Sequence, residues 1–235
     1  MRRISGLIHE SIEERKNITR GEYKKAGVLP GVAASCKDGI ILIGVSSRPK
    51  VSKIWRILDR SAFLGVGDVS RYEELYNSIS INAKVKAFME RSAGDSIVME
   101  DIIRLSANTV RSAFRDLFNN DYFECDIIIA RLGFEKEEDE LCAIDFTGQR
   151  ICSKSFICIP DGLSDGLISD VNSETMRDVF VDMWHKLEAK KEELKQEKLF
   201  FEVATLSREA ALAKKFKEVY KKLDLEDISS WMPRA

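Results

Sequence analysis

Short apolar runs and longer segments with helical periodicity follow one another in blocks along the chain. The first two β-prone stretches lie within residues 31–45 and flank Asp38 and Gly39, and an Asp-Gly pair in that position predicts a hairpin. Residues 54–58 and 61–66 predict a second pair of strands. The chain therefore opens its regular structure with four strands.

Two long helices are predicted after these strands. Asp68 is a suitable N-terminal cap for the first helix, which extends to about Arg91, and Ser96 is a suitable cap for the second. The residues predicted to face the core are Val69, Tyr72, Leu75, Tyr76, Ile79, Ala83 and Ala87 in the first helix, and Ile102, Leu105, Val110, Ala113, Phe114, Leu117 and Phe118 in the second.

The chain then returns to strands. Residues 125–132 are almost entirely apolar, which is typical of a strand that is covered on both faces. The acidic run at 135–140 predicts a solvated turn, and residues 141–159 predict a further hairpin around Thr147 and Gly148.

A third helix is predicted from Met176 into the charged run that ends at Lys198, followed by a strand at 199–206. Residues 208–223 predict a last amphipathic helix, with Leu212, Phe216, Val219 and Leu223 on its apolar face. Helices and strands thus come in blocks and not in βαβ alternation. This order predicts an α+β fold in which sheets are layered under helices, and it disfavours a doubly wound parallel sheet.

We predict one domain over residues 1–235, because the sequence has neither an internal repeat nor a long linker. Within it, residues 1–25 form an N-terminal segment whose charged part predicts a short helix. Residues 31–206 form the layered body, and residues 208–235 form a C-terminal helix and tail.

Composition narrows the class of protein. The chain is 44% hydrophobic and carries 37 basic and 39 acidic residues, so a net charge of −2 gives no basic field for nucleic acid. No apolar run reaches the roughly 18 residues of a membrane span. Residues 1–8 are too short for the core of a signal peptide. We therefore predict a cytoplasmic protein that binds neither nucleic acid nor membrane.

The five cysteines do not suggest a metal site. They are widely spaced, no CxxC occurs, and the chain has only two histidines. Four of them lie in apolar runs that are typical of strands, where a free cysteine behaves as a small hydrophobic residue. We predict buried thiols, no metal and no cofactor.

Three segments, in this order, resemble the proteasome-type family of N-terminal-nucleophile hydrolases. Residues 31–45 resemble its first hairpin, residues 51–75 its Lys-Ile segment, strand and first long helix, and residues 131–148 its glycine, acidic gap and Asp-x-x-Gly segment. The charged segment before the first strand and the sequence SSRPKVSKI at 46–54 look most like an actinobacterial α subunit.

The resemblance implies a four-layer αββα sandwich with two antiparallel sheets covered by helices. It also implies a heptameric α ring that caps rings of catalytic β-type subunits, admits unfolded protein substrates and receives an ATPase or other ring activator. Such a chain is a subunit of a threonine-type endopeptidase complex and is not an enzyme by itself.

Active members of this family begin their first strand with a nucleophile, normally threonine, whose free amine acts as the base. Residues 28–32 contain no Thr, Ser or Cys, and residues 44–46 contain no acid where the family has one. Only the family's lysine has a counterpart, Lys53, so we predict no catalytic residue. The alternative is an active hydrolase or β-type subunit, in which autocleavage would have to free Ser35 or Cys36 as the N-terminal residue. A second alternative is an orphan binding module with the same sandwich.

The resemblance implies a gate at the N-terminus, where several copies meet at the ring axis. The residues expected to form it are Met1, Arg2, Arg3, Ile4, Leu7 and Ile8. The alternative for this segment is a disordered tail.

The resemblance also implies a pocket between neighbouring subunits for the C-terminal tail of an activator. Lys53 is the lysine that pairs with the tail carboxylate, as suits a charged donor. The family's assisting arginine is replaced by Gly27, and Lys24 or Lys25 is expected to substitute for it. The helix expected after Gly162 is short in this sequence, so contacts between rings are expected to differ.

Overall fold

The architecture is that of a computed structural model, which describes residues 28–89, 99–115, 125–160, 174–192, 196 and 198–232. The strands are β1 Gly31–Cys36, β2 Gly39–Ser46, β3 Ile54–Leu58, β4 Ser61–Gly67, β5 Cys125–Arg131, β6 Glu140–Ile144, β7 Arg150–Ser153, β8 Phe156–Ile159, β9 Phe200–Ser207 and β10 Tyr220–Lys222. The helices are α1 Val69–Met89, α2 Met99–Arg115, α3 Met176–Ala189, α4 Arg208–Leu212, α5 Phe216–Val219 and α6 Leu225–Trp231, with a 3₁₀ turn at Lys136–Glu138.

The strands form two five-stranded antiparallel sheets. Sheet A has the order β10-β9-β2-β1-β8 and sheet B the order β3-β4-β5-β6-β7. The α+β class predicted from the order of elements and the two antiparallel sheets implied by the resemblance are confirmed.

Three apolar clusters define the layers. The first, which includes Leu42, Leu64 and Ile128, fills the space between the sheets. The second joins sheet B to α1 and α2, and the third joins sheet A to α3. Three interfaces between four layers make the αββα sandwich that the resemblance implied.

Alternate residues of β1 and β2 face different layers. Ala33, Ile40 and Leu42 face sheet B, whereas Val32 and Ile41 face α3. Because both faces of sheet A are covered, these strands are apolar along their length.

The first hairpin forms as predicted, but with a different turn. Cys36 pairs with Gly39, so the loop consists of Lys37 and Asp38 and the glycine is the first residue of β2. Gly39 has a φ of +151°, and a Cβ there would collide with the backbone oxygen of Leu206 on β9. The close approach of β9 is therefore what requires glycine.

Three predictions in the second half were wrong. The predicted helix at 208–223 is instead two short helices followed by strand β10, which pairs with β9 at Tyr220–Leu206. The predicted second arm of the hairpin at 141–159 divides between the sheets, since β7 pairs with β6 and β8 pairs with β1. The third helix ends at Ala189, well before Lys198.

Smaller corrections concern single side chains. Val69 and Leu105 were predicted to face the core but are 40% and 37% exposed. Cys142 and Cys152 face each other on β6 and β7 and form a disulfide, so the prediction of buried thiols is wrong for this pair. Within the described ranges, no helix combines the length and the apolar character needed to cross a membrane.

Candidate functional site

Lys53 lies immediately before β3, against the end of β2. Its side chain packs on Gly44, where an added Cβ would stand 3.1 Å from the lysine Cβ. Its ammonium donates a hydrogen bond to the backbone oxygen of Val45. The loop before β3 thus turns the lysine inward, and only 7% of the residue is exposed.

Burial lowers the pKa of Lys53 to about 8, and the nearby carboxylate of Glu202 opposes this effect. The side chain is therefore still mostly charged near pH 7. A buried ammonium requires acceptors, and the Val45 oxygen supplies one.

Glu202 on β9 fixes the loop that carries Lys53. Its carboxylate accepts hydrogen bonds from the backbone N–H of Lys53 at 2.6 Å, the backbone N–H of Ile54 at 3.3 Å and the Ser52 hydroxyl at 3.2 Å. Lys222 on β10 forms an ion pair with the same carboxylate and donates to Ser52 Oγ at 3.0 Å. One carboxylate therefore joins β9, β10 and the start of β3.

Two tyrosines brace this loop from opposite sides. Tyr72 Oη of α1 donates to the Ser52 oxygen at 3.2 Å, and Tyr220 Oη of β10 donates to the Ile54 oxygen at 3.5 Å. Burial raises the pKa of both hydroxyls, so each remains a neutral donor.

The start of β1 adjoins this site but brings no catalytic group to it. Pro30 O accepts from Val45 N at 3.0 Å, so the first residues of β1 lie one hydrogen bond from the lysine's acceptor. The Val45 side chain belongs to the apolar cluster under α3. The ammonium of Lys53 is thus paired with a backbone oxygen at the position where the resemblance implied an acid.

Ser35 lies at the other end of the β1–β2 hairpin and is fully buried. Its hydroxyl donates to Asp139 Oδ2 at 2.6 Å, and Gly133 N donates to Asp139 Oδ1 at 2.9 Å. Arg208 donates to the same carboxylate at 2.7 and 3.2 Å and also to the Gly133 and Cys36 oxygens. The hydroxyl of Ser35 therefore belongs to a polar cluster that ties sheet A to sheet B.

Cys36 is also fully buried. Burial, with a smaller contribution from Asp38, raises the pKa of its thiol to about 12. A thiol in this environment remains protonated near neutral pH and is a poor nucleophile.

Several predicted site residues lie outside the described part of the chain. These are the gate residues Met1, Arg2, Arg3, Ile4, Leu7 and Ile8, together with Lys24, Lys25 and the glycine at 27; the segment after Gly162 lies outside it as well. Within the described residues, no group of three His, Cys, Asp or Glu side chains could hold a metal ion.

Sequence reasoning missed Glu202 and Lys222. The one signal for Glu202 was a single acid within the apolar run LFFEVATL at 199–206. Lys222 gave no signal, because it stood in a segment predicted as helix.

The second half of α1 presents an apolar stripe to solvent. Ile81 is 62% exposed, Val85 48%, Phe88 85% and Met89 75%. Their spacing of four, three and one places them on one side of the helix. An apolar side chain this exposed is ordinary when single, but a contiguous group is typical of an interaction surface.

The chain is similar to proteins named proteasome subunit alpha from actinobacteria, although no protein-family profile matches it. It is 28% identical over 159 residues to that of Paenarthrobacter aurescens, with 65% of this chain and 64% of the relative aligned. It is 27% identical to that of Pseudarthrobacter chlorophenolicus, with 65% of this chain and 64% of the relative aligned. It is also 27% identical to that of an Arthrobacter species, with 59% of this chain and 58% of the relative aligned. The match thus spans less than two thirds of the length of these curated relatives. In sequence and in its two-sheet sandwich, the chain is thus similar to actinobacterial proteins named proteasome subunit alpha.

Proposed function

We propose that this chain is a non-catalytic α-type proteasome subunit that acts in protein degradation as the outer ring of a larger particle. The similarity to several actinobacterial proteins named proteasome subunit alpha is the observation that carries this proposal. In this function the ring controls the entry of unfolded proteins into a chamber formed by β-type subunits, in the cytoplasm.

The chemistry of the described residues supports a silent subunit. The positions where the family has its nucleophile and its acid carry neither, because residues 28–32 contain no Thr, Ser or Cys and the Lys53 ammonium is paired with the backbone oxygen of Val45. Ser35 and Cys36 are fully buried, and the Ser35 hydroxyl is committed to Asp139. Autocleavage before either residue would remove part of β1, a central strand of sheet A.

The apolar stripe on α1 supports assembly. Phe88 and Met89 lose little of their surface to the described parts of the chain, at 85% and 75% exposed. Covering such residues by a neighbouring subunit contributes about 25 cal/mol for each Å² of apolar surface removed from water.

The gate and the activator pocket are finer parts of the same proposal. Met1, Arg2, Arg3, Ile4, Leu7 and Ile8 form the gate, and Lys53, aided by Lys24 or Lys25, receives the activator's C-terminal tail. Two lysines support the pocket. Lys53 is mostly charged near pH 7. Lys222, at the edge of sheet A, pairs with Glu202, the carboxylate that also accepts from the Lys53 backbone N–H.

Native mass spectrometry of the chain, alone and co-expressed with the β-type subunit of its own genome, tests the proposal. We expect a ring of the full-length chain that has no peptidase activity by itself, and an active, larger particle when the β subunit is present. Phe88→Asp should prevent the larger particle, whereas Leu225→Asp, at a leucine 80% exposed on α6, should not.

Other outcomes separate the alternatives. A chain that begins at Ser35 or Cys36 and reacts with a nucleophile-directed inhibitor would show an active hydrolase. A full-length monomer or dimer that ignores the β subunit would instead favour an orphan binding module.

A further inference from the structure

The carboxylate of Glu202 occupies a ready-made anion site. Two backbone N–H groups, of Lys53 and Ile54, converge on it with the Ser52 hydroxyl and the Lys222 ammonium. Backbone amides, a hydroxyl and an ammonium all donate charge-assisted hydrogen bonds to a carboxylate. The side chain of Glu202 is itself only 12% exposed.

The donors divide between the two carboxylate oxygens. Oε2 accepts from the Lys53 N–H at 2.6 Å, whereas Oε1 accepts from Ile54 N and Ser52 Oγ and pairs with Lys222. Glu202 can therefore keep its shortest bond, which fixes the loop, while the cation on its other oxygen moves.

Lys222 is the more exposed of the two lysines at this site. It lies at the end of β10, a three-residue strand at the edge of sheet A, and its side chain is 46% exposed. A lysine ammonium on a flexible stem exchanges partners without rearranging the backbone.

The charges of the site are unbalanced. Lys53 and Lys222 bring two ammonium groups, and Glu202 brings one carboxylate. The excess of one positive charge suits one further carboxylate.

We infer that Lys222 is a second cation of the activator pocket, and that Glu202 is an internal competitor which an incoming C-terminal carboxylate displaces from it. This inference rests on the proposed docking role of Lys53. The Lys53 ammonium is held on Val45 O and acts through its charge, while Lys222 makes the direct contact with the incoming group. An amidated tail lacks the charge that this exchange requires.

The test measures binding of a labelled, randomised octapeptide pool with free C-terminal carboxylates to the assembled protein, with the same pool amidated as reference. Lys222→Met should weaken binding of the free-carboxylate pool at least about fivefold. Glu202→Gln, which keeps the shape of the side chain, should tighten it by a similar factor, because Lys222 is released. The double variant should lose this gain. Lys221→Met, on the same edge strand, should bind as the wild type does.

The outcomes separate this inference from the docking role. If Lys53→Met removes the preference for the free carboxylate while Lys222→Met and Glu202→Gln bind as the wild type does, the inference is wrong and docking stands. If neither the wild type nor Glu202→Gln distinguishes the two pools, docking at this site fails together with the inference. A thermal unfolding curve for each variant confirms that the bound state measured is that of a folded chain.

Discussion

A carboxylate surrounded by donors lies beside each end of the β1–β2 hairpin, but only one of these two clusters reaches solvent. Asp139 is fully buried, and the side chain of its partner Arg208 is 10% exposed. Glu202 is 12% exposed, and the side chain of its partner Lys222 is 46% exposed.

This difference in exposure distinguishes a structural ion pair, Asp139–Arg208, from an exchangeable one, Glu202–Lys222. The donors of Asp139 come from both sheets, and water cannot replace them, so loss of one leaves a buried group without a partner. Water and dissolved anions can reach Lys222, so its ion pair with Glu202 is screened and can be exchanged. The closed cluster is therefore structural, and the open one is available for binding.

The largest expected change in stability is at the buried cluster around Asp139. Asp139→Ala should lower the free energy of unfolding by about 3–5 kcal/mol, because it leaves the Arg208 guanidinium buried without its anion. Urea denaturation measures this. Glu140→Ala, which removes the neighbouring and more exposed pair with Arg131, should cost less than about 1 kcal/mol. Equal losses for the two variants would remove the distinction between a structural and a surface ion pair.

Lys53, at the solvent-accessible cluster around Glu202, makes the stability of the fold depend on pH. Its pKa is about 8 in the fold and about 10.5 in the unfolded chain, so between these values the unfolded chain binds more protons and stability rises with pH. Below pH 8 the cost of burying the charge is fully present. Relative to Lys53→Met, the wild type should therefore gain up to about 3 kcal/mol between pH 7 and about pH 11.

Denaturation of both proteins across this pH range measures the difference. Lys37→Met, at an exposed turn residue, is the matched control and should follow the wild type. A wild-type stability that falls relative to Lys53→Met over this range would contradict the buried, charged lysine.

Ser35→Ala sharpens the comparison by removing one hydroxyl from the closed cluster. It should cost about 1–2 kcal/mol, because Asp139 loses a buried donor at 2.6 Å. Ser52→Ala removes a hydroxyl from the open site and should cost less than about 0.5 kcal/mol, since water can replace it. Urea denaturation compares the two. A larger loss at Ser52 would reverse the assignment of the two ends.

The layers of the fold were predictable because their signal is local. Strands β1, β2 and β5 are covered on both faces, so their sequences are nearly continuous apolar runs. The final helix was not predictable in this way. Lys214 adopts a left-handed φ of +56° that ends the helical segment, and pairing with β9 makes the following residues a strand. Helical spacing of four apolar residues does not reveal either event.

The candidate site was predictable only in part, for the same reason. Lys53 stands in a local segment that resembles a family motif, but Glu202 reaches it from 149 positions further along the chain. Lys222 joins them only because β10 adds to the edge of sheet A. The disulfide likewise depends on the register that places Cys142 opposite Cys152. Pairings between distant strands create these contacts, and spacing along the sequence does not show them.

The smallest expected effect is the salt dependence of the open pair. Lys222→Met should lower the free energy of unfolding by less than about 1 kcal/mol at low salt. Raising the salt to about 1 M should abolish this difference, because the Debye length falls to about 3 Å. The cost of Asp139→Ala should change little over the same range, since its partner is buried. Urea denaturation of both variants and the wild type at two salt concentrations measures this. A salt-independent loss at Lys222 would mean that the open pair is also structural, and that Glu202 does not release its cation to an incoming carboxylate.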